Sequence, residues 1–197
     1  MNLIVSAAHR LYSLTVRRKF LTVTVIGLSV ALTGCAATPG KIPTNTNPTP
    51  VQQFDPSLIP TTAPADALKV EPAIFLTSVG EYGFRVGSGP TWCTFNPDQQ
   101  FVICEQNEAD ATYDAVSPPS SCKLSYGYQS KLTEAGKAGT FTCSSGLYAD
   151  PAHYQSLNAG ETLTVGNLTC FVTDITARCD NQNGNYIVLG PEVWALG

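Results

Sequence analysis

The sequence predicts an all-β domain, a small disulfide-stapled antiparallel β-sandwich or partly open barrel with one or two short helical turns. Three observations carry this: short alternating apolar runs from about Glu71 onward, turn residues between them, and six cysteines downstream of an export leader. Candidate strands are Ala73–Val79, Tyr82–Val86, Thr91–Asn96, Phe101–Glu105, Cys122–Tyr128, Gly139–Ser144, Thr162–Val165, Leu168–Thr173, Thr176–Asp180 and Asn185–Leu189. Asn96-Pro97-Asp98, Ser117-Pro118-Pro119-Ser120 and Asn183-Gly184 punctuate them as turns. Only Ser130–Ala138 and Asp150–Leu157 have helical character, and both are short.

The chain divides into three parts. Residues 1–34 read as an export signal. Arg17-Arg18-Lys19 is its basic region, and Phe20 to Leu32 is an apolar stretch of about a dozen residues, shorter than the roughly 20 that span a bilayer. Leu32-Thr33-Gly34-Cys35 has the form of a lipobox, in which small residues admit the signal peptidase and the Cys35 thiol accepts diacylglycerol. Several long acyl chains on Cys35 suffice for stable anchoring. Arg17-Arg18-Lys19-Phe20-Leu21 also resembles a twin-arginine export motif, but cysteines that oxidise after export favour the unfolded-chain route. Met1 is the only methionine, so a later non-Met start near Val16 stays open.

Residues 35–70 form a Pro/Thr-rich tether, with Pro39, Pro43, Pro48, Pro50, Pro56, Pro60 and Pro64 blocking helix and ladder pairing. At about 3 Å per residue such a segment reaches on the order of 100 Å. Residues 71–197 are the disulfide-rich β domain. From Cys35 onward the chain carries 7 Lys/Arg against 15 Asp/Glu, a net charge of −8, which repels nucleic acid and anionic headgroups.

Six cysteines allow 15 pairings. Hairpin geometry favours one of them. A two-residue turn at Asp174-Ile175 sets Cys170 opposite Cys179 at a non-hydrogen-bonded position, where Cα atoms approach to about 4.5 Å. A four-residue turn at Pro97–Gln100 does the same for Cys93 and Cys104, leaving Cys122 with Cys143. Each bridge constrains the unfolded chain by about 2.5–3.5 kcal/mol. Cys104-Glu105-Gln106-Asn107 and Cys179-Asp180-Asn181-Gln182 close the two hairpins alike, through duplication or convergence.

Together, the lipobox, the tether and the two cysteine hairpins, ending in Asn181-Gln182-Asn183-Gly184-Asn185-Tyr186-Ile187-Val188-Leu189, resemble small exported actinobacterial (corynebacterial and mycobacterial) lipoproteins of unknown function. The resemblance spans about residues 80 to 195. It implies a location and a fold, and no catalytic residue.

Chemistry is sparse in the sequence. After the leader only His153 is present, in Asp150-Pro151-Ala152-His153-Tyr154, and a nucleophile–base pair needs more. No Cys-x-x-Cys spacing occurs, so neither a metal nor a cofactor is expected. Asp180–Asn185 lacks the closing glutamate of a calcium loop and reads as a hairpin turn. Glu105, Glu108, Asp110 and Asp114 are the carboxylates available to a wall-polymer hydrolase, with Glu105 and Asp114 the ones to test. Trp92, Tyr126 and Tyr128 are a possible binding face, with Tyr126 and Tyr128 on one side of a strand; Tyr148 and Tyr186 lie elsewhere, and Trp194 is placed to plug one end of the core.

The expectation is a lipoprotein on the outer face of the cytoplasmic membrane, lipid-anchored in the cell envelope. It acts as a non-catalytic binding or accessory module for an envelope protein complex or wall polymer, or alternatively as a wall-polymer hydrolase. The membrane is its partner through the anchor, and nucleic acid is not.

Overall fold

A computed structural model describes residues 55–197. The export signal and Cys35 lie outside the described residues.

Twelve strands form two six-stranded sheets. One runs β1(Leu68–Lys69), β8(Glu161–Val165), β9(Leu168–Val172), β10(Ala177–Asn181), β11(Tyr186–Leu189) and β12(Trp194–Leu196). The other runs β6(Thr140–Phe141), β5(Gln129–Thr133), β4(Phe101–Gln106), β3(Thr91–Asn96), β2(Tyr82–Val86) and β7(Gln155–Leu157). Neither closes into a barrel, and the arrangement is a sandwich. β1 pairs β8 and β2 pairs β7 in parallel; every other pairing is antiparallel.

The sheets meet through side chains that alternate inward. Phe84, Val86, Phe95, Val102 and Leu132 face Leu163, Leu168, Val172, Ile187 and Leu189 in one core. The structure makes three disulfides, Cys93–Cys104, Cys122–Cys143 and Cys170–Cys179. In the first and third, Cα atoms of directly paired residues are 4.0 and 3.9 Å apart, the close approach of a cross-strand bridge. These two bridges stack against each other across the sandwich, with Cys104 Sγ 3.6 Å from Cys179 Sγ in van der Waals contact.

The outer faces are covered as well. All six residues of β3 and all six of β4 are buried, including the outward-facing Trp92, Thr94, Asn96, Ile103 and Glu105. The cover is the connection from β6 at one edge of the sheet to β7 at the other, residues 142–154, which straps the outer face. Tyr154 lies over Gly83 so closely that a Cβ there would sit 2.1 Å from the ring, and its hydroxyl is 2.9 Å from Thr94 Oγ1. The opposite sheet is covered by residues that the sequence assigns to the tether. Leu58 and Ile59 pack on Val188, Val193 and Ala195, the Pro60 carbonyl accepts from Arg178 Nη1 at 3.0 Å, and Leu68–Lys69 add a strand. The folded domain therefore begins before Glu71. Prolines 56, 60 and 64 are compatible with this because the segment docks through apolar contacts and carbonyls, which need no proline N–H.

Several elements differ from expectation. Ala73–Val79 is a 3-10 turn, Pro72–Phe75, followed by a bend; of its consecutive apolar residues only Phe75 is buried. Cys122–Tyr128 is irregular, with a single bridge between Ser125 and Ser144. Gly127 adopts φ 96°, which breaks the pleat between Tyr126 and Tyr128 and sends them to different places. The Ser130–Ala138 segment begins as β5, whose one apolar residue, Leu132, is fully buried. Asp150–Leu157 is a 3-10 turn capped by Asp150 and then β7. Asn183-Gly184 does turn a hairpin, as a three-residue loop with Gly184 at φ 80°.

Gly83→Ala is expected to displace Tyr154 and break its contact with Thr94, lowering stability by about 1–3 kcal/mol in denaturant unfolding. Unchanged stability would show that the strap does not bear on this sheet.

Candidate functional site

Glu105 anchors the strap. Its side chain is fully buried in the outer face of β4, and among the described residues it forms no ion pair. Both oxygens are held by N–H donors. Oε1 accepts from the Tyr148 amide at 2.6 Å and Gln129 Nε2 at 2.7 Å; Oε2 accepts from Trp92 Nε1 at 2.9 Å and the Ala149 amide at 3.2 Å. Desolvation nonetheless dominates and holds this carboxyl above the ordinary carboxylate range, against the four donors, which act to lower it. Further along the strap the Tyr148 hydroxyl donates to Glu81, and Asn96 Nδ2 donates to Glu81 Oε1 at 2.7 Å. Burial, and then the contact with Glu81, raises the Tyr148 hydroxyl pKa.

Concavities lie along the strap, one of about 340 Å³ lined by Phe101, Ile103, Lys131 and residues 142–148. A cleft of about 160 Å³ is lined by Glu105, Glu108, Tyr128, Gln129, Thr142 and Ser144 among others. Within it the Gln129 carboxamide is fixed at both ends, since Nε2 donates to Glu105 and to the Gly146 carbonyl at 2.7 Å, while Oε1 accepts from Thr142 Oγ1 at 2.8 Å. A larger groove of about 440 Å³ opens between residues 74–79 and 150–155. Its wall carries Ile74, Leu76 and Val79, which are 63%, 53% and 76% exposed, facing Asp150, His153 and Tyr154.

The aromatic residues expected to share a face are separated. Trp92 is buried and donates to Glu105. Tyr126 packs edge-on against Phe141, with ring centroids 5.6 Å apart, and Phe141 in turn meets Trp194 at 5.0 Å. Tyr128 stacks on the core residue Tyr113 at 6.2 Å and lines the cleft. Of the four carboxylates considered for hydrolysis, Glu105 and Glu108 line that cleft; Glu105 has both oxygens engaged and no exposure, and Asp110 and Asp114 are exposed outside it. His153 is exposed at the end of the 3-10 turn in the apolar groove. Among the described residues, Cys93, Cys104 and Cys179 bring their sulfurs within 4.8 Å, but each belongs to a disulfide and none is a thiolate.

Sequence reasoning missed the groove and the Glu105–Gln129–Thr142 chain. The groove had one signal: Ile74-Phe75-Leu76 places three apolar residues in a row, and no single-faced element buries all three. The chain had none, because its members are separated by 13 to 24 positions and meet only through strand pairing. Comparison with known proteins returns no match, whether to a family model, a curated protein or a solved structure.

Glu105→Leu strands four buried donors at about 1–3 kcal/mol each before relaxation, so a loss of roughly 3 kcal/mol or more is expected by denaturant unfolding. Because the folded state holds the Glu105 proton more tightly than the unfolded chain, the wild type should lose stability as pH rises above about 4.5, through the raised folded value. Measured against the non-titrating Glu105→Gln, that negative slope should disappear; parallel curves would refute it.

Proposed function

We propose that this protein is an envelope lipoprotein, anchored through Cys35 on the outer face of the cytoplasmic membrane, whose domain is a non-catalytic binding module for an envelope protein. The observation that carries the binding role is the open groove with Ile74, Leu76 and Val79 exposed along one wall. Contiguous aliphatic side chains rimmed by polar groups mark interaction sites, because leaving them in water costs about 25 cal/mol per Å². The occupant is a protein segment with an uncharged, apolar face. The net charge of −8 from Cys35 onward, with Asp150 in the groove itself, opposes an anionic bilayer. The resemblance to exported actinobacterial lipoproteins and the lipobox support the location.

Catalysis is not favoured by the side chains present. The described cysteines are joined in disulfides, Glu105 is sealed beneath the strap, and among the described residues no hydroxyl or thiol is hydrogen-bonded to His153.

Crosslinking in intact cells followed by affinity capture should enrich one consistent envelope protein. Val79→Asp, at a position 76% exposed, should abolish that enrichment while leaving thermal unfolding unchanged. Capture of nothing, or of the same partner by the variant, rejects the groove as the docking site. Cys35→Ala should move the protein out of the membrane fraction; persistence there rejects the anchor.

A further inference from the structure

We propose that Thr142 and Gln129 are joined by a self-formed ester that covalently locks the strap to β5, with Glu105 as the catalytic proton carrier. Gln129 and Thr142 are direct cross-strand neighbours one step beyond the Ser130–Phe141 pair, and the Thr142 amide donates to the Gln129 carbonyl at 3.0 Å. Thr142 Oγ1 sits 2.8 Å from Oε1 of the carboxamide, and Glu105 Oε1 sits 2.7 Å from its nitrogen. The orientation of the amide follows from its partners. Glu105 and the Gly146 carbonyl both present acceptors, so the NH₂ faces them and the carbonyl faces the hydroxyl.

A rotation of the Thr142 side chain carries Oγ from the carbonyl oxygen to the adjacent carbon, at the 3–3.5 Å or so of a reactive approach. The Oγ–Cδ bond forms, the C=O π pair moves onto Oε1, and the hydroxyl proton follows along the existing hydrogen bond. In the tetrahedral adduct the nitrogen is an amine with a lone pair. Glu105 takes the proton from the adduct's new hydroxyl and delivers it to the nitrogen, the C=O bond reforms, the C–N bond breaks and ammonia departs through the cleft. The sum is one hydroxyl plus one carboxamide giving one ester plus ammonia, with no oxidant or co-reactant. Burial of the Glu105 carboxyl, which raises its proton affinity, suits it to that transfer. A second buried pair is a built-in contrast. Thr91 Oγ1 donates to Gln106 Oε1 at 3.1 Å, but no carboxylate meets Gln106 Nε2, and that pair should stay unlinked.

The test is the mass of the full chain after reduction and alkylation of all cysteines. The protein should be lighter by one ammonia than the mass expected for its processed and acylated chain. Cleavage after Lys123, Lys131, Lys137 and Arg178 should yield residues 124–131 joined to residues 138–178. Hydroxylamine, which cleaves esters and spares amides, should separate them. Thr142→Val should restore the missing ammonia and Thr142→Ser should keep the bond; Glu105→Gln should restore the ammonia if it folds, and Thr91→Val should change nothing. A wild-type mass equal to that expected for the processed and acylated chain, with the two peptides separate after reduction, overturns the proposal. So does a linked product that resists hydroxylamine or survives Thr142→Val.

Discussion

The fold of one whole sheet depends on how a buried carboxylate is satisfied. An ionised group without a counter-ion is costly to remove from water, and Glu105 has no ion-pair partner among the described residues. Four N–H donors take that place, and two of them are the backbone amides of Tyr148 and Ala149. Those amides belong to a segment with no ladder to satisfy them, so the strap and the carboxylate each supply what the other lacks. Charge-assisted bonds of this kind are about twice as strong as neutral ones. The consequence is that β3 and β4 bury both faces. That explains why Trp92 is a core residue with its indole N–H spent on Glu105, rather than part of an exposed aromatic surface.

The opposite sheet solves the same problem with a cation. Arg178, nearly buried on the outer face of β10, pairs with Asp180 at 2.6 Å, lies 4.0 Å over the Tyr186 ring and donates to the Pro60 carbonyl. The chain before β1 is thereby held across that face. Each layer of the sandwich has an outer cover pinned by one charged side chain, and between the layers two disulfides stack against each other. Asn181 links the layers at one end, with Nδ2 donating to the Thr133 and Gly136 carbonyls of the other sheet. This consistency among covers, caps and bridges is what a small domain needs when its net stability is only a few kcal/mol above zero.

The same covers define where a partner can reach. They leave the residue 74–79 bend outside the core, where Phe75 alone turns inward and Ile74, Leu76 and Val79 remain in water. Glu105 lies under the strap, and the cleft beside it places Gln129 and Thr142 within reach of that carboxylate. The groove and the Gln129–Thr142 pair thus lie at opposite ends of the strap, at Asp150–His153 and at Thr142–Gly146.

Much of the fold was legible from local pattern. Alternation over Tyr82–Val86, Thr91–Asn96 and Leu168–Val172 marked strands, and the turn lengths at Pro97–Gln100 and Asp174-Ile175 set the register that brings cysteine opposite cysteine. These are properties of a hairpin, decided within about a dozen residues. Pattern failed where a tertiary partner overrode it. Tyr126 and Tyr128 alternate in sequence, but Gly127 at positive φ rotates them apart; Gln129–Thr133 has a single apolar residue and is a strand because β4 offers it a ladder. The Glu105 site could not be read at all. A glutamate in a run of polar residues looks solvated until residues more than 40 positions later cross over it, and hydrogen-bond partners at that separation leave no spacing in the sequence.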